Sequence, residues 1–386
     1  MSSNLTNMKQ YILKAAPAAQ SVKSEKSSSA KRIVIGVDVH LRSYYAARKI
    51  DNAAVGTAAK FGSQEAFLLY VERQRQQAEE VVVLYEAGPL GYVLYRALKA
   101  QGVQCHVCAP DSTQQKQTRR KTNQIDARAL ASNLFNYLNG NERAVRLVRI
   151  PSPEQERARL ISRQHDALVE ERKRLGAKGN ALLLSQGYGG CKNWWRLKAF
   201  ERLSQGIASW VLELLKVWVP VLRQLDGLIA QAKAGLASRA QGARPKGAGA
   251  QSLVQLEAEL LDWNLYSSKR KIGCLAGMVP SEWSTGTGQR LGSITKVGVP
   301  AIRRNVVEMV WRFKKFQPQY GPIQKWKEVL EGSNRTLKKK AVVAIGRQLI
   351  VDLWRLQTGR TTAQELKLIM IGSNSALRGL QKGGPN

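Results

Sequence analysis

Two short apolar runs, each closed by an acid, constrain this chain most. Ile33-Val34-Ile35-Gly36-Val37-Asp38 and Val81-Val82-Val83-Leu84-Tyr85-Glu86 are β-branched and too short for helices, so each reads as a buried strand. Tyr44 to Ile50 reads as a further strand reached through a hairpin, and Val103 to Val107 as another. Ser63 to Glu79 and Tyr92 to Gln101 read as helices, with Gly88-Pro89-Leu90-Gly91 breaking the chain between strand and helix. The order β-β-α-β-α-β predicts an α/β sheet with helical cover.

Downstream the pattern becomes helical. A basic cluster, Lys116, Arg119, Arg120 and Lys121, precedes a helix that begins near Asp126. Glu154 to Gln186 is a long charged helix, and Leu197 to Ala240 continues helical with a kink expected at Pro220. This middle region either pairs with another subunit or packs within its own chain. Gln241 to Ala250 is a glycine-rich joint, read as a linker or as a phosphate-holding turn. Residues 251 to 265, Pro300 to Lys315 and Leu337 to Gly359 read as helices, and the polar stretch around Ser284-Thr285-Gly286 as a flexible loop. Flexible tails are expected at 1–31 and 373–386.

Charge bounds the partners. Among 386 residues, 61 Lys and Arg face 28 Asp and Glu, a net charge of +33. Such a chain binds a polyanion, with counterion release making that binding salt-dependent. A structural protein of the ribosomal or chromatin type has the same property. No apolar run reaches membrane-spanning length and no secretory signal opens the chain, so a cytoplasmic, nucleoid-associated protein without a membrane partner is expected. Cys105 and Cys108 form a lone Cys-x-x-Cys, expected to face the same way near a strand end; a zinc site needs about four ligands.

Two constellations carry chemistry. Asp38 and Glu86 end apolar strands, and Asp126 opens a helix. Strand-end carboxylates that converge hold Mg²⁺, a hard cation that takes phosphate as a remaining partner. Read singly, each acid is an exposed strand-end residue paired with a lysine; read jointly in so basic a chain, they form a site. The second constellation is Ser284 or Thr285 between Arg290 and Lys296. A hydroxyl attacking a phosphodiester needs its proton removed and the developing charge stabilised, and cations meet the second need. Residue chemistry alone favours a phosphate-contacting loop there. Arg303 and Arg304 extend the nucleic-acid-binding set.

Ile35-Gly36-Val37-Asp38-Val39-His40, Tyr85-Glu86-Ala87-Gly88-Pro89-Leu90-Gly91-Tyr92 and Lys121-Thr122-Asn123-Gln124-Ile125-Asp126-Ala127 resemble the three signature segments of the DEDD transposases of the insertion-sequence 110 family, whose relatives include Piv-type invertases. Gly277 to Gly286 and Arg290 to Gly298 are similar to that family's C-terminal segment. The resemblance implies an α/β plus α chain. An RNase-H/RuvC-like DEDD domain would cover 32–190, a coiled-coil-like helical spacer 191–242, and a mostly helical transposase domain 243–372. It implies a metal site at Asp38, Glu86, Asp126 and position 123, where Asn123 replaces the family's acid and supplies no charge. It implies a serine nucleophile, with Ser284 preferred and Thr285 the alternative. It also implies DNA partners (target and donor), a structured guide RNA, the bridge RNA, and a homo-oligomer, dimer or tetramer. A RuvC-like nuclease without serine chemistry and a non-catalytic nucleic-acid-binding protein derived from a transposase remain as alternatives.

Overall fold

The computed structural model describes residues 30–110, 122–240, 242–285 and 288–372. The expected tails, apart from residues 30 and 31, and the cluster Lys116, Arg119, Arg120 and Lys121 lie outside the described residues. The chain divides into two compact units, Met1–Ile150 and Pro151–Asn386.

The first unit is a mixed sheet with helices on both faces. β1 (Ala30–His40) pairs antiparallel with β2 (Ser43–Ile50), and β2 antiparallel with β3 (Ala59–Phe61). α1 (Gln64–Arg75) leads to β4 (Ala78–Glu86), which runs parallel to β1. α2 (Val93–Ala100) then leads to β5 (Gln104–Cys108), parallel to β4, and α3 (Asn123–Leu138) follows. The spatial order is β3-β2-β1-β4-β5. This mixed α/β arrangement agrees with an RNase-H-like domain. Side-chain alternation sorts the apolar runs onto two faces. Ile33, Ile35, Val37, Val83 and Tyr85 pack with Phe67 and Val71 of α1 and with Leu94 and Leu98 of α2. Val34, Val82 and Leu84 pack under Leu130 and Leu134 of α3. Both faces are covered, which is why the strands read as unbroken apolar runs.

The same alternation corrects the cysteine reading. Cys105 belongs to the α1–α2 face and Cys108 to the α3 face, because residues three apart on a strand point opposite ways. Burial pushes the Cys105 thiol up to about 12.

The second unit is mostly helical. Ser152 and Gln155 close a reciprocal capping box at the start of α4 (Pro153–Ser185). The middle region is three helices rather than one: α5 (Leu197–Ser204), α6 (Ser209–Lys216) and α7 (Val219–Ala237). Pro220 lies in the first turn of α7 and starts that helix instead of kinking a longer one, since its missing N–H costs nothing there. Leu175 and Leu183 of α4 pack with Trp194, Trp195, Val211, Leu215 and Leu222, so the region has a core within its own chain. Gly179 admits the Trp194 indole; a Cβ there would stand 2.1 Å from its Cζ2.

Asp226 of α7 accepts hydrogen bonds from Arg172 Nη1 at 2.8 Å and Trp195 Nε1 at 2.9 Å, with Arg196 Nε at 3.4 Å. Burial pushes its carboxyl up, but those hydrogen bonds and the two guanidinium charges outweigh it and hold it below the ordinary 3.8. Its folded pKa is therefore the lower one. Its stabilisation is present above 3.8 and is lost as pH falls through the folded value. Asp226→Asn is expected to cost about 1–3 kcal/mol at neutral pH and to flatten the acid limb of thermal stability. Melting curves at neutral and acid pH check both.

Beyond α7, the supposed joint pairs β6 (Arg244–Pro245) antiparallel with β9 (Met370–Ile371), tying the end of the described chain to the start of this region. α8 (Ala250–Leu260) and α9 (Lys269–Cys274) precede a hairpin of β7 (Pro280–Thr285) and β8 (Gly288–Ile294). α10 (Pro300–Phe316), α11 (Gly321–Lys325), α12 (Lys327–Glu331) and α13 (Arg335–Gln357) complete the unit. Leu256 of α8, Val306, Met309 and Phe313 of α10, and Ile345 and Leu349 of α13 share its core. The buried Glu259 of α8 is held by Arg163 of α4 through two bonds, at 3.0 and 3.2 Å. No helix among the described residues is long and apolar enough to cross a membrane.

Candidate active site

The acids of the first unit are placed by strand register. Val37 pairs with Tyr85 across the parallel strands, so Asp38 and Glu86 lie side by side one step further on. By alternation both share the face of Val34, Gly36, Val82 and Leu84, the face that α3 covers. α3 runs back along β1. Leu134 packs with Val34, and the backbone at Ala127 and Ala131 closes on Gly36. One turn nearer its N-terminus, the helix carries Asn123 and Asp126.

Gly36 makes this approach possible. A Cβ at 36 would stand 2.2 Å from Ala131 N and 2.4 Å from Ala127 O. Thr122 caps α3 by accepting from Ile125 N, and the helix N-terminus adds a positive end at the site. Asp38 Oδ2 is 3.0 Å from His40 Nε2. His40 is two residues beyond Asp38 on one strand and so shares its face. That spacing was readable in the sequence, but without the strand's register it assigned His40 no role.

Asp38 and Glu86 therefore place two hard oxygen donors, the type Mg²⁺ takes, side by side at one sheet end. Among the described residues, no three of the His, Cys, Asp and Glu side chains stand close enough together to share a metal ion. The donor types fit the cation, while three carboxylates do not form a closed ligand shell.

Ser284 and Thr285 are strand residues, in register with Gln289 and Gly288. The flexible loop expected here is a β-hairpin. Its glycines and polar residues suggested a loop, but Trp283, Thr285, Leu291 and Ile294 are strand formers that gain by cross-strand pairing. Arg290 lies directly opposite Trp283. Lys296 follows β8 in a left-handed conformation, φ 56°.

Arg303 and Arg304 have internal partners. Arg303 Nη1 donates to Ala276 O at 3.0 Å and to Lys296 O at 3.4 Å, bracing the hairpin's base. Arg304 pairs with Asp166 of α4. Their guanidinium groups are at least partly committed to the fold.

Comparison with known proteins decides the family. A transposase family model, of the DEDD type of IS110 elements, matches residues 35–186. A second model, described as the transposase IS116/IS110/IS902 family, matches residues 243–321. The chain is 30% identical over 303 residues to "Putative transposase y4rJ" of Sinorhizobium fredii (strain NBRC 101917 / NGR234), covering 71% of this chain and 76% of that protein. The chain belongs to the IS110 family of transposases. A second relative from the same organism, "Putative transposase y4qE", is 30% identical over 270 residues, covering 68% of this chain and 66% of that one.

As an IS110-family transposase, the protein binds DNA and acts in DNA recombination. The first family match contains Asp38, Glu86, Asn123 and Asp126, and the second contains Ser284 and Thr285. That first match extends past Ile150, where the first compact unit ends, well into α4. The family segment therefore crosses the boundary between the two compact units.

Proposed function

We propose that this transposase cuts and rejoins DNA by phosphoryl transfer through a serine–DNA intermediate. The hydroxyl oxygen of Ser284 bonds to the phosphorus of a DNA phosphodiester. The bond from phosphorus to the leaving deoxyribose oxygen breaks. The serine proton passes to a carboxylate or to solvent, and the released deoxyribose oxygen takes up a proton. Attack by a DNA hydroxyl on the phosphoserine reverses these changes, rejoins a strand and frees the serine. Asp38, Glu86, Asp126 and the amide oxygen of Asn123 would hold Mg²⁺, which when bound neutralises developing phosphate charge.

The observation that carries this reading is the strand register that sets Asp38 and Glu86 side by side on neighbouring parallel strand ends, on the face that α3 covers. Arg290 and Lys296, near Ser284 in sequence, supply positive charge for the phosphate. The acids lie in the first compact unit and the serine in the second, and the acting form would be a dimer or tetramer. The net charge of +33 suits a structured guide RNA bound together with target and donor DNA.

The deciding experiment is incubation with element-end DNA, cognate RNA and Mg²⁺, followed by denaturing electrophoresis. The expected result is a covalent protein–DNA adduct that is lost in Ser284→Ala and kept in Thr285→Ala. Cleavage that persists in full in Ser284→Ala would instead make the protein a metal nuclease. Asn123 favours a second reading, a transposase-derived DNA-binding protein without catalysis, because it removes one of the charges that would hold the cation. That reading gives salt-sensitive binding and no adduct under any condition.

A further inference from the structure

The β7–β8 hairpin carries a large aromatic side chain that is both exposed and braced. Trp283 is 67% exposed. Its indole nevertheless rests against β8 at Gly292, where a Cβ would come within 2.3 Å of Cζ3 and 3.1 Å of Cη2. The same Cβ would stand 2.5 Å from Ser281 Oγ, which donates to Ser293 O at 3.0 Å beside the irregular register between Pro280 and Glu282. The hairpin's base is clasped as well. Thr295 N donates to Val279 O at 2.8 Å, Lys296 N to Gly277 O at 3.1 Å, and Arg303 ties down Ala276. An indole so supported loses little freedom when a ligand covers its open side.

The surroundings say what kind of ligand. Arg290 faces Trp283 across the ribbon, and Lys296 stands at its base. Lys269, Arg270 and Lys271 of α9, all exposed, lead into the clasp. Glu282 is the one carboxylate within β7 and β8. A π surface amid cations suits a ligand with a flat aromatic face and a phosphate. In an intact duplex each base is covered by its neighbours, so an indole reaches a base face only where that base is unpaired or extruded.

We propose that Trp283 is a stacking platform for one unstacked base of the DNA strand that lies along the hairpin, with Arg290 on the adjoining phosphate. The stacking does not rest on the proposed serine chemistry.

The test uses the full chain carrying Ser284→Ala, so that binding is read without any bond exchange. A DNA single strand containing 5-iododeoxyuridine is bound and irradiated, and the cross-linked peptide is mapped by mass spectrometry. The expected adduct is on Trp283. In anisotropy titrations, adding Trp283→Ala should weaken single-strand binding by about 5- to 150-fold, while Trp283→Phe keeps most of the affinity. The dependence of affinity on salt should stay unchanged, since no cation is removed. The proposal is overturned if cross-links fall only on other residues and Trp283→Ala binds as tightly as its parent. It is equally overturned if Trp283→Ala dissociates an oligomer at unchanged single-strand affinity, which assigns the indole to a second copy of the chain. Failure of the serine reading, seen as the absence of any adduct with unmutated protein, leaves these measurements untouched.

Discussion

Asp38→Asn is expected to lower Mg²⁺-dependent DNA cleavage by a factor on the order of 10²–10³, the range for removing one preorganised charge-stabilising group. DNA binding should persist or tighten slightly, because a negative charge leaves a surface that meets phosphates. The substitution keeps the size of the side chain at the end of β1, so the strand and its pairing with β4 stay intact. What changes is charge. In the proposed site Asn123 already supplies none, which leaves Asp38, Glu86 and Asp126 to hold a divalent cation. Removing a second charge should raise the Mg²⁺ requirement beyond ordinary concentrations. Asn123→Asp makes the reciprocal variant: it restores a fourth carboxylate and should lower the Mg²⁺ concentration at half-maximal cleavage. Titrating Mg²⁺ against cleavage for the parent and both variants reads all three. Unchanged cleavage by Asp38→Asn would remove the acids from the mechanism.

Gly36→Val is expected to be the most damaging single change in the sheet unit. The close neighbours of a Cβ at 36 are backbone atoms of α3, Ala131 N and Ala127 O, which cannot rotate away like the end of a side chain. α3 must therefore lift from β1. Overpacking of this kind costs about 1–3 kcal/mol and occasionally more, and valine sits at the upper end. Gly36→Ala should be milder in stability and still strongly impaired in cleavage. In the proposed site, lifting α3 would shift Asn123 and Asp126 relative to Asp38 and Glu86, and a displacement of about 1 Å can cost on the order of 10²-fold in rate. Melting temperature and cleavage rate, measured on the same preparations, separate the two effects. A Gly36→Ala protein with normal stability and normal cleavage would show that α3 need not lie so close.

Much of this protein was legible before its structure. The runs ending at Asp38 and Glu86 are strands because β-branched residues buried on both sides leave few other options. The helix starting at Asn123 is capped by Thr122, a local signal. The long helix from Pro153 carries its capping box in Ser152 and Gln155. Local chemistry failed where two readings share one composition. Pro220 fits a kink as well as a first turn, and only the break after α6 decides. The Ser284 segment has the glycines of a loop, yet its strands exist because each pairs with the other, a gain invisible in either half alone. Cys105 and Cys108 looked like a pair until the strand put them on opposite faces.

The sequence by itself determined a basic, polyanion-binding chain, an α/β sheet followed by helices, and ordered segments that resemble those of the IS110 family. These rest on composition and short-range patterns, which the chain carries wherever it goes. Only the tertiary structure decided that α3 runs back along β1 over the face that carries Asp38 and Glu86. It alone decided that Gly36 permits this approach, that Arg303 braces the hairpin's base, and that Gly292 supports the Trp283 indole. The physical reason is the same in each case. A glycine or an arginine acquires its meaning from the atoms packed against it, and those atoms come from parts of the chain that sequence spacing does not bring together.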